Sequence, residues 1–155
     1  MRGPPKLLWT ILPLITGLIA PSFVLIEVET IIGRVPLRAA VLGVISQEFA
    51  EGENVFLLTV IGLIPFVLLA MFSFVVSRRV SQRRLACVSL GGLLGILAYM
   101  IPAHVSIWRP LFAGEQVAST AAIGFLFIPF YCVPALAVGL FVGWLISLIP
   151  SIRAR

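Results

Sequence analysis

The chain has 155 residues, of which 61% are hydrophobic and 11% are charged, and its formal net charge is +5. Soluble domains contain roughly 45–50% apolar and about 25% charged residues, so this composition excludes an ordinary soluble core. The basic excess would suggest nucleic-acid binding in a soluble protein, but its position along this chain assigns it to one membrane face, and no nucleic-acid partner is predicted.

Four charge-free stretches divide the chain, at 7–26, 55–77, 85–108 and 116–152. Each reaches the roughly 20 residues that a helix needs to cross about 30 Å of hydrocarbon at 1.5 Å per residue. The sequence therefore predicts an all-α membrane protein, a single four-span transmembrane domain over 1–155 in an up-down bundle within the lipid bilayer. The predicted spans cover about 7–27, 55–77, 85–107 and 121–149.

The first span follows the basic segment MRGPPK, an arrangement that resembles the start of a cleavable signal peptide. A cut after Ala20 would place Leu18 where a small residue is required, with Pro21 directly beyond the cut. We therefore expect the first span to be retained.

Glu27 and Glu29 are the first charged residues after twenty uncharged ones. On a regular helix they would point about 200° apart, whereas on an extended segment they would share a face. Arg34 follows Glu27 by about two helical turns and can neutralise it on a continuous helix. The pair is interpreted either as carboxylates at the membrane boundary or as part of a cation or proton site.

The segment PLRAAVLGVISQEF, between the first two spans, predicts a short helix. One broad side of this helix is apolar, which favours a position in the plane of the membrane interface, on the external side of the membrane. That side consists of Leu37, Val41, Val44, Ile45 and Phe49.

Small residues recur every four positions in the third and fourth spans, at similar depths. Such stripes allow close approach of helix backbones in lipid. We expect these spans to pack against each other within one chain, although the same stripes can instead join two protomers. The helix-packing residues are Cys87, Gly91, Gly95, Ala135, Gly139, Gly143 and Ser147.

His104 is the only histidine and lies near the outer end of the third span, at a depth similar to that of Glu27. Its unperturbed pKa near 6.5 allows modest changes to switch its charge. With Glu27, Glu29 and Glu115 it forms a candidate ion or proton site at the outer mouth. The alternative is a histidine beside lipid headgroups, and one histidine without a spaced second ligand predicts no metal site.

Other polar side chains within the spans are few. Tyr99 and Tyr131 are expected to face each other and to form hydrogen bonds in the interior. Cys87 and Cys132 differ in depth by about 15 Å at 1.5 Å per residue, too far for a disulfide. The chain contains no aspartate, no nucleophile with an identifiable base and no nucleotide-binding motif, so it predicts no catalytic residues, no cofactor and no enzymatic activity.

Charge predicts the orientation. With a cytoplasmic N-terminus, the inside segments hold eight basic and no acidic residues, and the outside segments hold three basic and all six acidic residues. The positive-inside rule then places both termini in the cytoplasm, and we expect a bacterial inner membrane.

The favoured function is helix-mediated assembly, as a homo-oligomer or an accessory subunit of a membrane complex. The alternative is a small-solute or ion transporter, suggested by the outer-mouth residues and by a proline in every span.

Overall fold

The computed structural model describes residues 6–48, 55–115 and 121–149, and every regular element in these ranges is helical. Four stretches are long and apolar enough to cross a membrane, which confirms the predicted multi-pass class: Leu8–Ile31, Thr59–Ser77, Gln82–Phe112 and Ile123–Leu148. The helices are α1 (Leu8–Ile31), α2 (Leu37–Glu48), α3 (Val55–Gly62), α4 (Ile64–Ser77), α5 (Gln82–Phe112) and α6 (Ala121–Leu148).

α1 continues past the predicted end of the first span and includes both Glu27 and Glu29. Two carboxylates do not end a helix, because their charge affects the cost of burial and not the backbone hydrogen bonds. The chain turns away at Arg34, which adopts a left-handed conformation with φ of 54°. The amide of Val35 then donates to the carbonyl oxygen of Glu29 at 3.1 Å.

Sequence signals that were not used in the prediction explain both ends of α5. Ser81 has an extended backbone and its hydroxyl accepts a hydrogen bond from the amide of Arg84 at 3.5 Å, the geometry of a helix N-cap. At the other end Gly114, with φ of 73°, donates to the carbonyl of Leu111, and Glu115 donates to that of Pro110. This is a Schellman motif, in which glycine is favoured at the left-handed position.

The second apolar stretch is interrupted at Leu63, between α3 and α4. Pro65 lies in the first turn of α4 and is fully buried. Because proline has no amide hydrogen and its ring crowds the preceding turn, the helix breaks here. By contrast, α1, α5 and α6 continue through their interior prolines.

Basic side chains link three segments at one end of the bundle, which we call the basic end. The Lys6 ammonium donates to the carbonyl oxygens of Ser77 at 2.6 Å and Val80 at 3.2 Å. Arg83 donates to the carbonyl oxygen of Ile149 at 2.8 Å. The start of α1, the turn between α4 and α5 and the end of α6 therefore lie together.

The core lies among α4, α5 and α6. Phe66, Leu69 and Ile96 are completely inaccessible to solvent. The core cluster consists of Phe66, Leu69, Leu93, Ile96, Met100, Ile128, Cys132 and Leu136.

Candidate functional site

The small-residue stripes of α5 and α6 face each other within one chain. A Cβ atom added to Gly91 would lie 2.8 Å from the Cα of Gly143 and would clash with the carbonyl oxygen of Gly139. One added to Gly95 would lie 3.0 Å from the Cα of Gly139. The two backbones touch without intervening side chains, and this contact uses the stripes within the chain.

The small residues also leave a trough on the exposed surface of the α5–α6 pair, with a volume of about 670 Å³. We call this surface the outer face of the pair. Its walls carry no charged residue among the described positions. They consist of Cys87, Leu90, Gly91, Leu94, Gly95, Ala98 and Tyr99 of α5 and Ala135, Val138, Gly139, Val142 and Ile146 of α6.

Tyr99 and Tyr131 do face each other, with ring centroids 6.1 Å apart. Their position in the interior was predicted wrongly, because the two residues are 38% and 58% exposed. Their rings lie on the exposed surface of the α5–α6 pair and not inside the bundle.

A different polar pair connects helices in the interior. The hydroxyls of Ser73 in α4 and Ser89 in α5 lie 2.8 Å apart, and both residues are buried. The sequence did not indicate this pair, because serine is small enough to occur anywhere in an apolar helix.

A second cavity lies between α1, α3, α5 and α6, towards the end of the bundle opposite the basic end. We call it the His104 cavity. Its volume of about 40 Å³ exceeds the roughly 10–15 Å³ that one water molecule requires, so it suits small occupants only. The lining consists of Pro21, Ser22, Leu25, Thr59, Gly62, Met100, His104, Trp108, Phe125, Ile128, Pro129 and Cys132.

His104 is held in place within this cavity. Its Nδ1 lies 2.9 Å from the carbonyl oxygen of Met100, one turn earlier on α5. Its ring packs on Phe125 of α6, with centroids 5.7 Å apart. Since the carbonyl can only accept, Nδ1 carries the hydrogen, and Nε2 is left with the lone pair of the neutral ring.

Glu27 and Glu29 lie on different sides of α1, as two positions on a regular helix require. Glu27 is exposed, whereas Glu29 is only 7% exposed. Glu29 faces α2, because a Cβ atom added to Gly43 would lie 4.0 Å from its Oε2. The structure therefore supports the helical alternative for this pair and separates the two carboxylates.

The apolar side predicted for α2 is divided between the protein interior and its surface. Among the residues of α2 whose side chains are described, Ala40 and Val44 are buried, whereas Leu37 and Ile45 are more than half exposed. Gly43, which lies between Ala40 and Val44 in sequence, is next to the Glu29 carboxylate of α1. Phe49, which was assigned to the apolar side, lies outside the described residues.

The four residues of the predicted outer-mouth site lie in different surroundings. Glu29 faces α2, His104 faces α6, and Glu27 and Glu115 are exposed. No three His, Cys, Asp or Glu side chains come together to hold a metal in the part of the chain that the structure describes. His104 alone of the four lines the cavity, and the four-residue site stays a prediction.

Met100 and Cys132 are residues of the cavity that the sequence reasoning did not assign to a site. A signal was present, because Met100 and His104 are four residues apart and share a helix face. Cys132 had no such signal, since its place depends on how α6 pairs with α5.

Comparison with known protein families, with curated proteins and with solved structures gave no match to this chain.

Proposed function

We propose that this chain is a multi-pass integral protein of a bacterial inner membrane that acts without catalysis, through helix-mediated assembly. It works as a homo-oligomer or as an accessory subunit of a larger membrane complex. The observation that supports this proposal is the apolar trough on the outer face of α5 and α6. Because the small-residue stripes are used within the chain, the trough is the surface left for another helix.

The occupant that we favour is a helix of a second copy. α4 exposes a ridge of large side chains spaced four residues apart, formed by Val67, Met71 and Val75. Helices pack by placing such ridges into grooves. A ridge on one copy that enters the trough of the next is a head-to-tail contact, which closes into a ring when the rotation permits.

The orientation is part of the same proposal, with both termini in the cytoplasm. It is supported by the basic end, where the Lys6 and Arg83 side chains bind carbonyl groups of neighbouring segments. Arg78, Arg79 and Arg84 lie in the same turn and first helical residues. α2 would then lie on the opposite, external side, in the membrane interface.

Intermolecular disulfide formation tests the assembly. Two chains without native cysteines carry different tags. One chain has Leu94→Cys in the trough, and the other has Met71→Cys in the ridge. We expect a disulfide-linked heterodimer in native membranes. The control replaces Met71→Cys with Ile11→Cys on the exposed face of α1 and should give no heterodimer.

Native mass spectrometry of gently extracted protein identifies the partner. Multiples of the 16.8 kDa chain support the homo-oligomer, and a stoichiometric foreign subunit supports the accessory role. A protein that stays monomeric in both measurements would overturn the proposed assembly.

The His104 cavity favours a second candidate function, transport of a small solute or ion. The cavity lies beside Pro21 and Pro129, and interior prolines leave backbone carbonyls without their usual donors. If Glu27 belongs to an outer mouth, Glu27→Gln should reduce flux in proteoliposomes. Arg38→Gln, a charge change on α2, serves as the control. Flux that Glu27→Gln, Glu29→Gln and His104→Asn all leave unchanged would dismiss this candidate.

A further inference from the structure

The His104 cavity brings together three side chains with soft or borderline metal-binding atoms. Met100 and His104 reach it from α5, and Cys132 reaches it from α6. Met100 and Cys132 are almost completely buried, at 2% and 1% exposure, and belong to the same core cluster. The set combines a thioether, an imidazole and a thiol.

The helix geometry explains the convergence. Met100 and His104 are four residues apart, so their side chains are neighbours on one face of α5. The antiparallel contacts of Gly95 with Ala135 and of Tyr99 with Tyr131 set the register of α6. In that register Cys132 lies opposite Met100.

His104 already has the arrangement of a metal-binding histidine. Such residues donate their second ring nitrogen to a carboxylate or backbone carbonyl, which orients the ring and selects the tautomer. Here Nδ1 donates to the carbonyl of Met100, and Nε2 keeps the lone pair. The hydrogen bond therefore prepares Nε2 to act as a ligand.

We propose that the His104 cavity binds one copper(I) ion through Met100 Sδ, His104 Nε2 and Cys132 Sγ. Thiolate and thioether ligands select copper(I), and imidazole accepts it. As the sulfur–copper bond forms, the Cys132 thiol releases its proton to solvent. The ion keeps its oxidation state throughout.

Charge selects a monovalent ion. One thiolate and one copper(I) ion sum to zero, which avoids the high cost of an uncompensated charge inside an apolar bundle. No carboxylate lines the cavity, so a divalent ion such as zinc would leave one positive charge. The cavity volume of about 40 Å³ matches a single small ion.

This inference does not depend on the proposed assembly, and it concerns binding and not flux. The test uses the full chain in lipid nanodiscs, titrated with copper(I) under anaerobic, reducing conditions against a competing chelator. We expect one ion per chain, with X-ray absorption showing both sulfur and nitrogen ligands. A chain that fails to compete, or an ion with oxygen ligands only, would overturn the site.

Two pairs of variants separate the site from other sulfur atoms. Cys132→Ala and Met100→Leu should each weaken binding at least about tenfold, by analogy with the loss seen when even outer groups of a metal site are changed. The controls Cys87→Ala and Met71→Leu should leave binding unchanged, because neither residue lines the cavity. The reverse pattern, with Cys87→Ala abolishing binding, would place the metal elsewhere.

A measurement on the unmodified chain guards against variants that fail to fold. Ultraviolet absorption reports thiolate-to-copper(I) charge transfer without requiring that a reagent reach the buried Cys132 thiol. The absorption should rise with added copper(I) and level off at one ion per chain. An absorption that does not change, or that keeps rising beyond one ion per chain, would contradict the proposed ligand set.

Discussion

Three glycines allow the backbones of α5 and α6 to touch because they have no side chain. Gly91, Gly95 and Gly139 each bring backbone against backbone, and an added Cβ atom at any of them would meet main-chain atoms of the opposite helix. Main-chain atoms cannot move aside as a flexible side chain can. The close approach therefore depends on each glycine separately.

Gly139→Val should destabilise the folded chain by about 2–3 kcal/mol, the upper part of the range for overpacked positions. The cause is the clash with the backbone of Gly91 and Gly95. Ala137→Val places the same side chain on an exposed position of α6 and should have little effect. Unfolding in mixed micelles by added SDS measures both free energies, and equal values would contradict the contact.

The buried serine pair provides a second prediction at this scale. Ser73→Ala leaves the Ser89 hydroxyl without its partner and should cost about 1 kcal/mol. A double-mutant cycle with Ser89→Ala should give a coupling energy of about 0.6 kcal/mol, the average for hydrogen bonds between membrane helices. Zero coupling would mean that the hydroxyls bond to their own helices instead.

Among the elements, the spans were predictable because absence of charge over about 20 residues has one physical explanation, the bilayer. The break at Leu63 was not predicted, since one proline bends some helices and divides others. The buried face of α2 was missed because its apolar residues can face lipid. Ala40 and Val44 are buried and Gly43 lies next to Glu29, an arrangement that periodicity cannot show.

The contact between α1 and α2 contains a carboxylate that weakens it. Glu29 is buried, and among the described residues no hydrogen bond or ion pair to its carboxylate is found. Because partial burial of an unpaired charge costs free energy, Glu29→Gln should stabilise the chain by up to about 1 kcal/mol. Glu27→Gln, on the exposed side, should leave stability unchanged. Thermal unfolding in detergent compares the two, and a lower melting temperature for Glu29→Gln would indicate a hidden partner.

At the scale of the whole molecule, charge is distributed unequally between the two ends. Arg78, Arg79, Arg83 and Arg84 supply four of the eight basic residues assigned to the inside segments. Their replacement by alanine should give a mixed population of orientations, because the remaining bias is small. Labelling of Ala113→Cys by an impermeant thiol reagent in intact cells, in a chain without native cysteines, measures the fraction. Complete retention of one orientation would show that other features set it.

The candidate site illustrates what a single sequence leaves out. His104 was identified because a lone histidine in an apolar chain is conspicuous. Cys132 was compared only with Cys87, as a disulfide partner, and only the pairing of α5 with α6 places Cys132 and His104 at one cavity. A site that forms between two spans depends on the register in which they pack. Small-residue stripes indicate this register, but they do not show which side chains line the cavity.

The two hydrogen bonds from the Lys6 ammonium to the carbonyl oxygens of Ser77 and Val80 have a consequence for biosynthesis. The two acceptors lie 71 and 74 residues further along the chain, so the N-terminal segment cannot be secured until the second span and its following turn have been made. At roughly 5–20 residues per second, this delay lasts on the order of 4–15 s. During that interval the first helix resides in the insertion machinery or the lipid without its final attachment, and the rate of translation determines when this attachment can form.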